Sequence, residues 1–428
     1  MMDECHDINT LIKHELMRQK NFFLLCRLLG NVRAEKGFIE ELSGFSYQDW
    51  EEFWKLSRIH SVSEILYTRI RVDNFERYFP YDVLERFRQF VYQSTIKNSY
   101  LIQTGKDVIQ TLLVEGIDTL ALKGFFLQQA VYNVDEIRPM NDIDLLVRRE
   151  DIPKAIAILK KFGFRMESHF DPAFENEDIK HVPPMWNEFG QTIELHWNLL
   201  EEDEPFSIDM DQVWAQKQCF EENLWGLSVE HLIVHLAIHG TYQHYLRLGL
   251  RSLLDLRRVI ERYADSIQWG LVVETARAWK AEKSLWISLK LVEKYLSVAL
   301  PEDAMLFIEP KNGAEMLIRA SLLTETLRPG QTVLSPDLIE LSKEKDFTSR
   351  SKRILKRIFI PKMHLARLYN IDPKSLGIYP AYIRRIMDLL KQYRKTYKKI
   401  DKQSDEISNE VNIYEEQIAL HKWLGLND

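Results

Sequence analysis

The sequence is poor in the features that mark secreted and membrane-spanning proteins. It has only three cysteines in 428 residues, and Cys5, Cys26 and Cys219 are too far apart to form a CxxC pair or a disulfide framework. Its first residues lack the basic flank and apolar run of a signal peptide. No run approaches the roughly 20 apolar residues that cross a bilayer, since the one at 232–238 is interrupted by His235. These absences predict a cytoplasmic protein without a transmembrane segment.

Charge is unevenly distributed along an otherwise ordinary globular composition. Apolar residues make up 45% and charged residues 28% of the chain, and its length allows a large core in two or three domains. The formal net charge is −7, yet residues 350–400 contain fifteen lysines and arginines against two aspartates. A basic segment of this kind favours an anionic partner such as nucleic acid, anionic lipid or an acidic protein surface. The pattern is also typical of solvated helix faces that pair with the acidic remainder.

The segment at 116–164 has the pattern of strand, helix, strand and helix. An apolar run at 119–122 ends in Lys123-Gly124, and a helical pattern follows. A helix that starts directly after a strand exposes backbone N–H groups that suit a phosphate. The sequence therefore predicts an anion site at Lys123 and Gly124, with the lysine facing phosphate and needing no carboxylate partner.

Two aspartates open the second strand of this segment. Asp142 and Asp144 are separated by one apolar residue, and strand alternation places both carboxylates on one face. Carboxylates that lie side by side predict a bound cation.

A later strand at 191–199 carries Glu194 and His196 on one face, with apolar residues between them. Taken alone, such a pattern is more typical of a solvated sheet face than of a site. The presence of Asp142 and Asp144 earlier in the chain favours the alternative, in which Glu194 is a third acid of the same site.

These motifs follow one another in a recognisable order. They are LKG at 122–124, Tyr132, Arg138, the strand DIDLLV, a helix that ends in FGF at 162–164, and the strand IELHW. Together they resemble the uncharacterised bacterial nucleotidyltransferase family of the DNA-polymerase-β-like superfamily. The Gly-Ser that usually follows the first strand in that superfamily is absent, and Lys123-Gly124 stand in its place, as they do in the family that the chain resembles.

The resemblance implies an α+β fold, in which a small mixed β-sheet of the polymerase-β-like type is embedded between mainly α-helical N- and C-terminal regions. We expect a helical N-terminal region at 1–94, the nucleotidyltransferase core at 95–220, a helical region with a histidine-rich helix at 221–325, and a helical C-terminal region with the basic block at 326–428. Periodicity predicts a helix at 92–114 that is separate from the helices before it. A polar excursion at 168–190 is expected to cover the cleft, with His181 having no role there.

The resemblance also implies a two-metal mechanism. Asp142, Asp144 and Glu194 are the implied ligands of two Mg²⁺ or Mn²⁺ ions. These ions would assist the attack of an acceptor hydroxyl on the α-phosphorus of a nucleoside triphosphate, with release of pyrophosphate.

Other residues are expected to contact the two substrates. The phosphates would contact Lys123, the N–H groups beyond Gly124, and Arg138, whose guanidinium can chelate oxygens in a fork. His196 shares the face of the acids, and we expect it to bind the acceptor, to act as a base, or to support the acids from behind.

A histidine-rich helix is predicted in the third region. His231, His235 and His239 recur at four-residue spacing, which stacks their imidazoles on one face and is compatible with a zinc site. HExxH is absent and no aspartate directly follows these histidines, so we expect the helix to bind no metal. The resemblance implies that His239, Arg251 and Asp255 are polar residues that face the cleft or support it.

Two other classes of protein compete with the nucleotidyltransferase interpretation. A non-catalytic protein of the same shape would use its basic C-terminal region to hold an anionic partner, but the presence of all three acids argues against it. A histidine-metal hydrolase centred on the histidine-rich helix would lack the accompanying acids. The sequence specifies neither the nucleobase nor the acceptor, which could be a small molecule, a protein or an RNA.

Overall fold

The computed structural model describes residues 17–30, 36–166, 180–326, 355, 358–360, 362–369, 371, 375–400 and 405–425. Within these ranges the architecture is α+β, with a small mixed sheet between helical N- and C-terminal regions. This confirms the predicted fold class. Most of the expected cleft cover, residues 168–179, lies outside the described residues, as do residues 327–354.

Helices precede the sheet. The described ones span residues 17–29 (α1), Lys36–Ser43 (α2), Tyr47–Ile59 (α3), Ser63–Val72 (α4) and Tyr81–Val114 (α5). Helix α5 runs for 34 residues without a break, so the prediction of a separate helix at 92–114 is wrong, and the boundary expected after residue 94 falls inside α5. Its sequence has no proline to end it. Its one glycine, Gly105, allows close packing, because a Cβ there would lie 2.2 Å from the Phe125 ring.

The sheet has four strands among the described residues, in the order β1-β2-β4-β3. They are β1 (Thr119–Ala121), β2 (Asp142–Val147), β3 (Met185–Trp186) and β4 (Thr192–His196). Helix α6 (Lys123–Ala130) joins β1 to β2, which are antiparallel. Strands β2 and β4 are parallel and therefore need a crossover connection, which contains α7 (Ile152–Lys161).

The register between β2 and β4 brings the predicted acids together. Asp144 is the partner of Glu194, and Ile143 is the partner of Ile193. The apolar residues of both strands are at most 1% exposed. Burying each such side chain contributes about 1.5 to 3 kcal/mol, which fixes the register, because a slip of one residue would turn the acids into the core.

Helices and one hairpin follow the sheet. They are α8 (Met210–Ala215), the hairpin of β5 (Gln218–Glu221) and β6 (Leu224–Gly226), α9 (Val229–Ile238), α10 (Leu250–Arg262), α11 (Trp269–Ala278), α12 (Glu282–Leu296), α13 (Glu302–Phe307), α14 (Gly313–Thr326), α15 (Lys362–Tyr369), α16 (Ile378–Ile400) and α17 (Asp405–Gly425). The hairpin spans the boundary expected after residue 220. Among the described helices, none combines the length and the apolar character that a membrane span requires.

One apolar core joins the regions that were expected to be separate. It extends from Phe22 in α1 through the sheet to Leu323 in α14, and it includes Leu420 and Trp423 of the last helix. Helices α15 and α16 pack around a small cluster of their own, formed by Leu365, Ala366, Ile378 and Ala381.

The histidine-rich helix is shorter than its histidine spacing suggests. Helix α9 begins after Ser228, whose hydroxyl accepts the N–H of His231 at 3.2 Å. A π-helical turn, His239–Gln243, follows it directly, and such wide turns are frequent at functional sites. The next helix, α10, starts where the N–H of Leu250 donates to Nδ1 of His60 at 3.2 Å.

Candidate active site

The predicted acids line one cavity of about 510 Å³. Asp142 and Asp144 enter it from β2, and Glu194 enters it from the neighbouring strand β4. Among the described residues, one group of three side chains has ligand atoms close enough to share a metal ion. It consists of Asp144, Glu194 and His196, whose ligand atoms lie within 4.8 Å of one another. Asp142, two positions before Asp144, extends the same face.

His196 links two of the acids. Its Nε2 lies 2.8 Å from Oδ1 of Asp144 and 3.5 Å from Oε2 of Glu194. Because a carboxylate only accepts hydrogen bonds, Nε2 carries a proton in this arrangement. His196 is 1% exposed, so it holds the acids from behind, one of the roles predicted for it.

Lys123 forms an ion pair with Asp144. Its Nζ lies 2.7 Å from Oδ1 of Asp144, so the expectation that this lysine needs no carboxylate partner is wrong. Burial opposes the charge of Lys123, but the carboxylate of Asp144 outweighs that effect and raises the pKa of the ammonium. The residue has φ of 45°, a conformation that side chains larger than glycine rarely adopt and that is concentrated at functional sites.

The three carboxyl groups differ in charge environment. Burial, together with the charges of Asp144 and Glu194, raises the pKa of Asp142 to about 6. Burial also opposes the ionisation of Asp144, but Lys123 and His196 hold its pKa well below the ordinary value. The hydrogen bond from His196 lowers the pKa of Glu194 against the effect of burial. Asp142 is therefore the acid whose charge is least compensated.

Arg138 binds Asp255 rather than opening its guanidinium fork to the cavity. Its Nε and Nη2 donate to the two carboxylate oxygens at 2.9 and 2.8 Å, and the hydroxyl of Tyr132 donates to the same carboxylate at 2.8 Å. A Cβ on Gly124 would lie 2.5 Å from Nη1 of Arg138. The absence of a side chain at Gly124 thus lets Arg138 pack against the start of α6.

Buried amides fix the loop between α6 and β2. Nδ2 of Asn98 donates to the carbonyl of Arg138 at 2.7 Å. Oε1 of Gln128 accepts the N–H of Arg138 at 2.6 Å, and its Nε2 donates to the carbonyl of Glu136 at 3.0 Å. Sequence reasoning missed both amides, because a single polar residue on a helix gives no sign that it is buried.

A second wall of the cavity is formed by residues between 180 and 251, some of which are neighbours of Glu194 in sequence and in space. They are Lys180, His181, Glu201, Glu204, His239, Gln243, His244 and Arg251. The ring of His181 lies 5.0 Å from that of His196, so His181 lies beside the acids although no role was expected for it. The resemblance had indicated His239 and Arg251, but sequence reasoning missed Lys180, Glu201, Glu204 and Gln243, because the long connections around them hide which residues meet.

The histidines of α9 and of the turn after it contact aromatic and polar neighbours. His231 stacks on Trp279 with ring centroids 5.0 Å apart, and His239 shares a hydrogen bond of 3.0 Å between its Nδ1 and Oε1 of Gln243. Burial lowers the pKa of His235 to about 3 and that of His239 well below its ordinary value. These imidazoles are neutral at physiological pH, and His239 faces the cleft, as the resemblance implied for it.

The geometry defines an α+β protein whose paired aspartates and third acid meet on neighbouring strands beside a strand-to-helix junction. A family model described as "uncharacterised nucleotidyltransferase" matches residues 46–297, which is more than half of the chain. The chain belongs to this family, and the membership supports nucleotidyl transfer as its general activity. No curated protein and no solved structure matches it.

Proposed function

We propose that the protein transfers a nucleoside monophosphate from a nucleoside triphosphate to a hydroxyl of an acceptor, with Asp142, Asp144 and Glu194 binding two Mg²⁺ or Mn²⁺ ions. The observation that carries this proposal is the parallel register of β2 and β4, which sets Asp144 beside Glu194 at the floor of the cavity. A protein that used these acids only for stability would have little reason to crowd three of them into one cavity.

The donor set suits hard divalent cations. Carboxylate oxygens are the ligands that Mg²⁺ prefers, and the raised pKa of Asp142 reports a negative charge that its protein surroundings do not compensate. When bound, such ions neutralise charge on the phosphates and lower the pKa of an attacking hydroxyl.

The protein groups around the acids have complementary roles in this proposal. The N–H groups at the start of α6 and the ammonium of Lys123 bind phosphate oxygens. Arg138 acts indirectly, because its ion pair with Asp255 fixes the loop that leads into β2. His196 orients the carboxylates of Asp144 and Glu194.

The acceptor is proposed to bind at the second wall of the cavity, between residues 180 and 251. His181, Glu201, Glu204 and His239 line that side of the cavity and offer hydrogen-bond donors and acceptors to a polar molecule. This wall has both acidic and basic groups, since it also contains Lys180. It therefore suits a hydroxyl-bearing acceptor that carries further polar groups.

One observation favours a second candidate function. The ammonium of Lys123 already neutralises Asp144, as it would in a protein that keeps the shape of a nucleotidyltransferase and binds an anionic partner without catalysis. In that case the partner would contact the basic segment at 350–400, which includes α15 and α16. A cytoplasmic location suits both candidates, and Cys26 and Cys219 are both free thiols.

The test is a labelling experiment. The protein is incubated with Mg²⁺, a cell extract and each of four nucleoside triphosphates labelled at the α-phosphorus. We expect one nucleotide to label an acceptor, and the size of the labelled fraction to show whether it is a small molecule, a protein or an RNA. Asp144→Asn should abolish labelling, and Asp151→Asn, beyond the far end of β2, should not. Equal labelling by wild type and Asp144→Asn would refute the proposed mechanism.

A further inference from the structure

A second cavity adjoins the acid-lined one. It has a volume of about 360 Å³ and is bordered by residues of α3, α4, α5 and the loop before β2. Four residues line both cavities and so form their common wall; they are Pro139, Met140, Asn141 and Arg251. Arg251 and the loop before β2 therefore contribute to both cavities.

The guanidinium of Arg251 lacks a direct ion pair among the described residues. Within the described part of the chain its guanidinium makes no hydrogen bond or ion pair, and its Nε is buried without a partner. Asp255 lies one turn further along α10, where it could have paired with Arg251. Both oxygens of Asp255 are instead taken by Arg138, whose own positive charge opposes that of Arg251. Burying a guanidinium without an anion beside it costs free energy. An anionic ligand that binds Arg251 would reduce this cost.

Two more cations line the second cavity. Nζ of Lys97 donates to Oδ1 of Asn141 at 2.7 Å, which leaves its charge without a carboxylate among the described residues. The guanidinium of Arg58 lies over the ring of Phe90 at 4.2 Å. The one acid in the lining, Glu64, accepts a hydrogen bond from Ser94 at 2.7 Å, and burial raises its pKa. The cavity is therefore cationic beside an acidic neighbour.

The residues predicted to bind phosphate are already engaged elsewhere. Lys123 is paired with Asp144 and Arg138 with Asp255. A triphosphate whose α-phosphorus reacts beside the acids needs cations for its two terminal phosphates, and Arg251 lines both cavities. Arginine suits this position because its fork chelates phosphate oxygens.

We propose that Arg251, Lys97 and Arg58 form a subsite for the β- and γ-phosphates of the nucleoside triphosphate. This subsite rests on the proposed function, because it assumes that the α-phosphate lies in the acid-lined cavity. It also predicts that the tail of the nucleotide, rather than its base, enters the second cavity.

Tripolyphosphate titrated by calorimetry in the presence of EDTA tests the subsite without any metal. We expect the wild type to bind it, and Arg251→Gln and Lys97→Gln each to bind it about tenfold or more weakly, which is the effect of one lost charge-assisted contact. Arg262→Gln is the matched control, since Arg262 is exposed on the same helix and lines neither cavity. Lys97 is exposed on α5, so its variant should fold even if the Arg251 variant does not. Unchanged affinity in Lys97→Gln and in folded Arg251→Gln, or no binding by the wild type, would overturn the subsite.

Competition distinguishes the nucleotide tail from a phosphate carried by the acceptor. In the same buffer, the α,β-methylene analogues of the four nucleoside triphosphates should displace tripolyphosphate, and Arg251→Gln should weaken both ligands. Simultaneous binding of tripolyphosphate and every analogue would assign the subsite to the acceptor and refute our assignment.

The two proposals fail in different ways. Asp144→Asn should retain the affinity for tripolyphosphate while it loses nucleotidyl transfer, because the acid is not part of the subsite. If no transfer is found with any nucleotide but Arg251→Gln still weakens tripolyphosphate, the proposed function is wrong and the anion subsite stands. If transfer is found and tripolyphosphate binding is independent of Arg251 and Lys97, the subsite is wrong and the function stands.

Discussion

At the scale of single residues, the carboxyl group of Asp144 is the centre of the charge balance. Lys123 and His196 both contact its Oδ1, at 2.7 and 2.8 Å, while Asp142 has no such support and a pKa raised to about 6. The two aspartates of one motif therefore have opposite effects on the stability of the metal-free protein. Substitutions that are chemically identical should separate them.

Asp142→Asn should abolish transfer yet stabilise the metal-free fold. The lost ligand should lower turnover by about two orders of magnitude or more. The ordinary pKa of Asp142 is 3.8 and its folded value is about 6, so its protonation stabilises the fold at low pH, and that contribution is lost as pH rises to 6. The variant should gain stability over wild type at pH 8 in EDTA, by about 1 to 2 kcal/mol, and little at pH 4. Urea denaturation at both pH values measures this, and a variant less stable at pH 8 would contradict it.

Lys123→Met should destabilise the metal-free protein. The expected place of Lys123 beside phosphate had implied little effect on stability. The substitution leaves the buried carboxylate of Asp144 without its ammonium partner, and breaking such a pair costs on the order of 2 to 4 kcal/mol. Millimolar Mg²⁺ should restore part of this loss, because a divalent cation can replace the ammonium. Thermal unfolding with EDTA and with Mg²⁺ measures both effects, with Lys160→Met on the exposed side of α7 as control. Equal loss in the two conditions would show that no cation binds beside Asp144.

His60 should make stability depend on pH. It is fully buried, accepts the N–H of Leu250 through Nδ1, and has its pKa lowered by burial from 6.5 to about 3. Between these values the unfolded chain binds a proton that the folded protein does not, so stability falls as pH drops through 6.5 toward 3. From pH 7.5 to 4.5 this histidine should cost about 2.5 kcal/mol.

His60→Asn keeps an acceptor near the position of Nδ1 and does not titrate. The variant should be less stable at pH 7.5 because of the smaller side chain, but its stability should fall by about 2.5 kcal/mol less than that of the wild type down to pH 4.5. The other buried histidines are common to both proteins and cancel in this comparison. Parallel pH profiles for the two proteins would show that His60 is not buried in its neutral form.

At the scale of elements, strands were more predictable than the contacts between them. The apolar run of β2 and the alternation of β4 predicted both strands, and they placed Asp142, Asp144 and Glu194 on them. These patterns could not give the register that joins Asp144 to Glu194, since that depends on a crossover connection through α7. Helix α5 is uninterrupted but was predicted as two helices. Its sequence contains no proline or glycine pair that would end the first of them.

The residues that sequence reasoning missed or misassigned share one property. Arg251 was expected only as a polar residue of the cleft, and His181 was given no role. The surroundings of Arg251 come from α5 and the loop before β2, which are remote in sequence, and those of His181 come from β4. Arg138 was expected to bind phosphate, but its guanidinium is paired with Asp255. Whether a charged side chain is free or paired is decided by packing between elements, and local pattern carries no information about it.

At the scale of the whole molecule, the last helix supports the cavity from a distance. His421 of α17 stacks between Tyr242 and Tyr245, with ring centroids 4.0 and 4.4 Å apart. Gln417 accepts a hydrogen bond from Arg247 at 3.2 Å. These contacts hold the π-helical turn, whose His239 and Gln243 line the cavity. The site thus depends on residues that lie outside the matched family range.

Removal of α17 should loosen the cavity wall without unfolding the sheet. A chain that ends at residue 404 lacks Leu420, Trp423 and Leu424, each at most 8% exposed, and each such burial contributes about 2 kcal/mol. Hydrogen exchange should therefore accelerate at residues 239–249, while β2 and β4 keep their protection. His421→Ala should give a smaller change in the same segment. Unchanged exchange at 239–249 in the truncated chain would show that the wall stands alone.

The docking of α17 also sets the order in which a newly made chain becomes competent. The ribosome synthesises the acids of β2 and β4 long before it reaches residue 405. The nascent protein therefore contains these carboxylates before α17 can hold the second wall of the cavity in place. Nascent chains stalled after residue 404 should be cleaved by proteases at 239–249 more readily than chains that include α17.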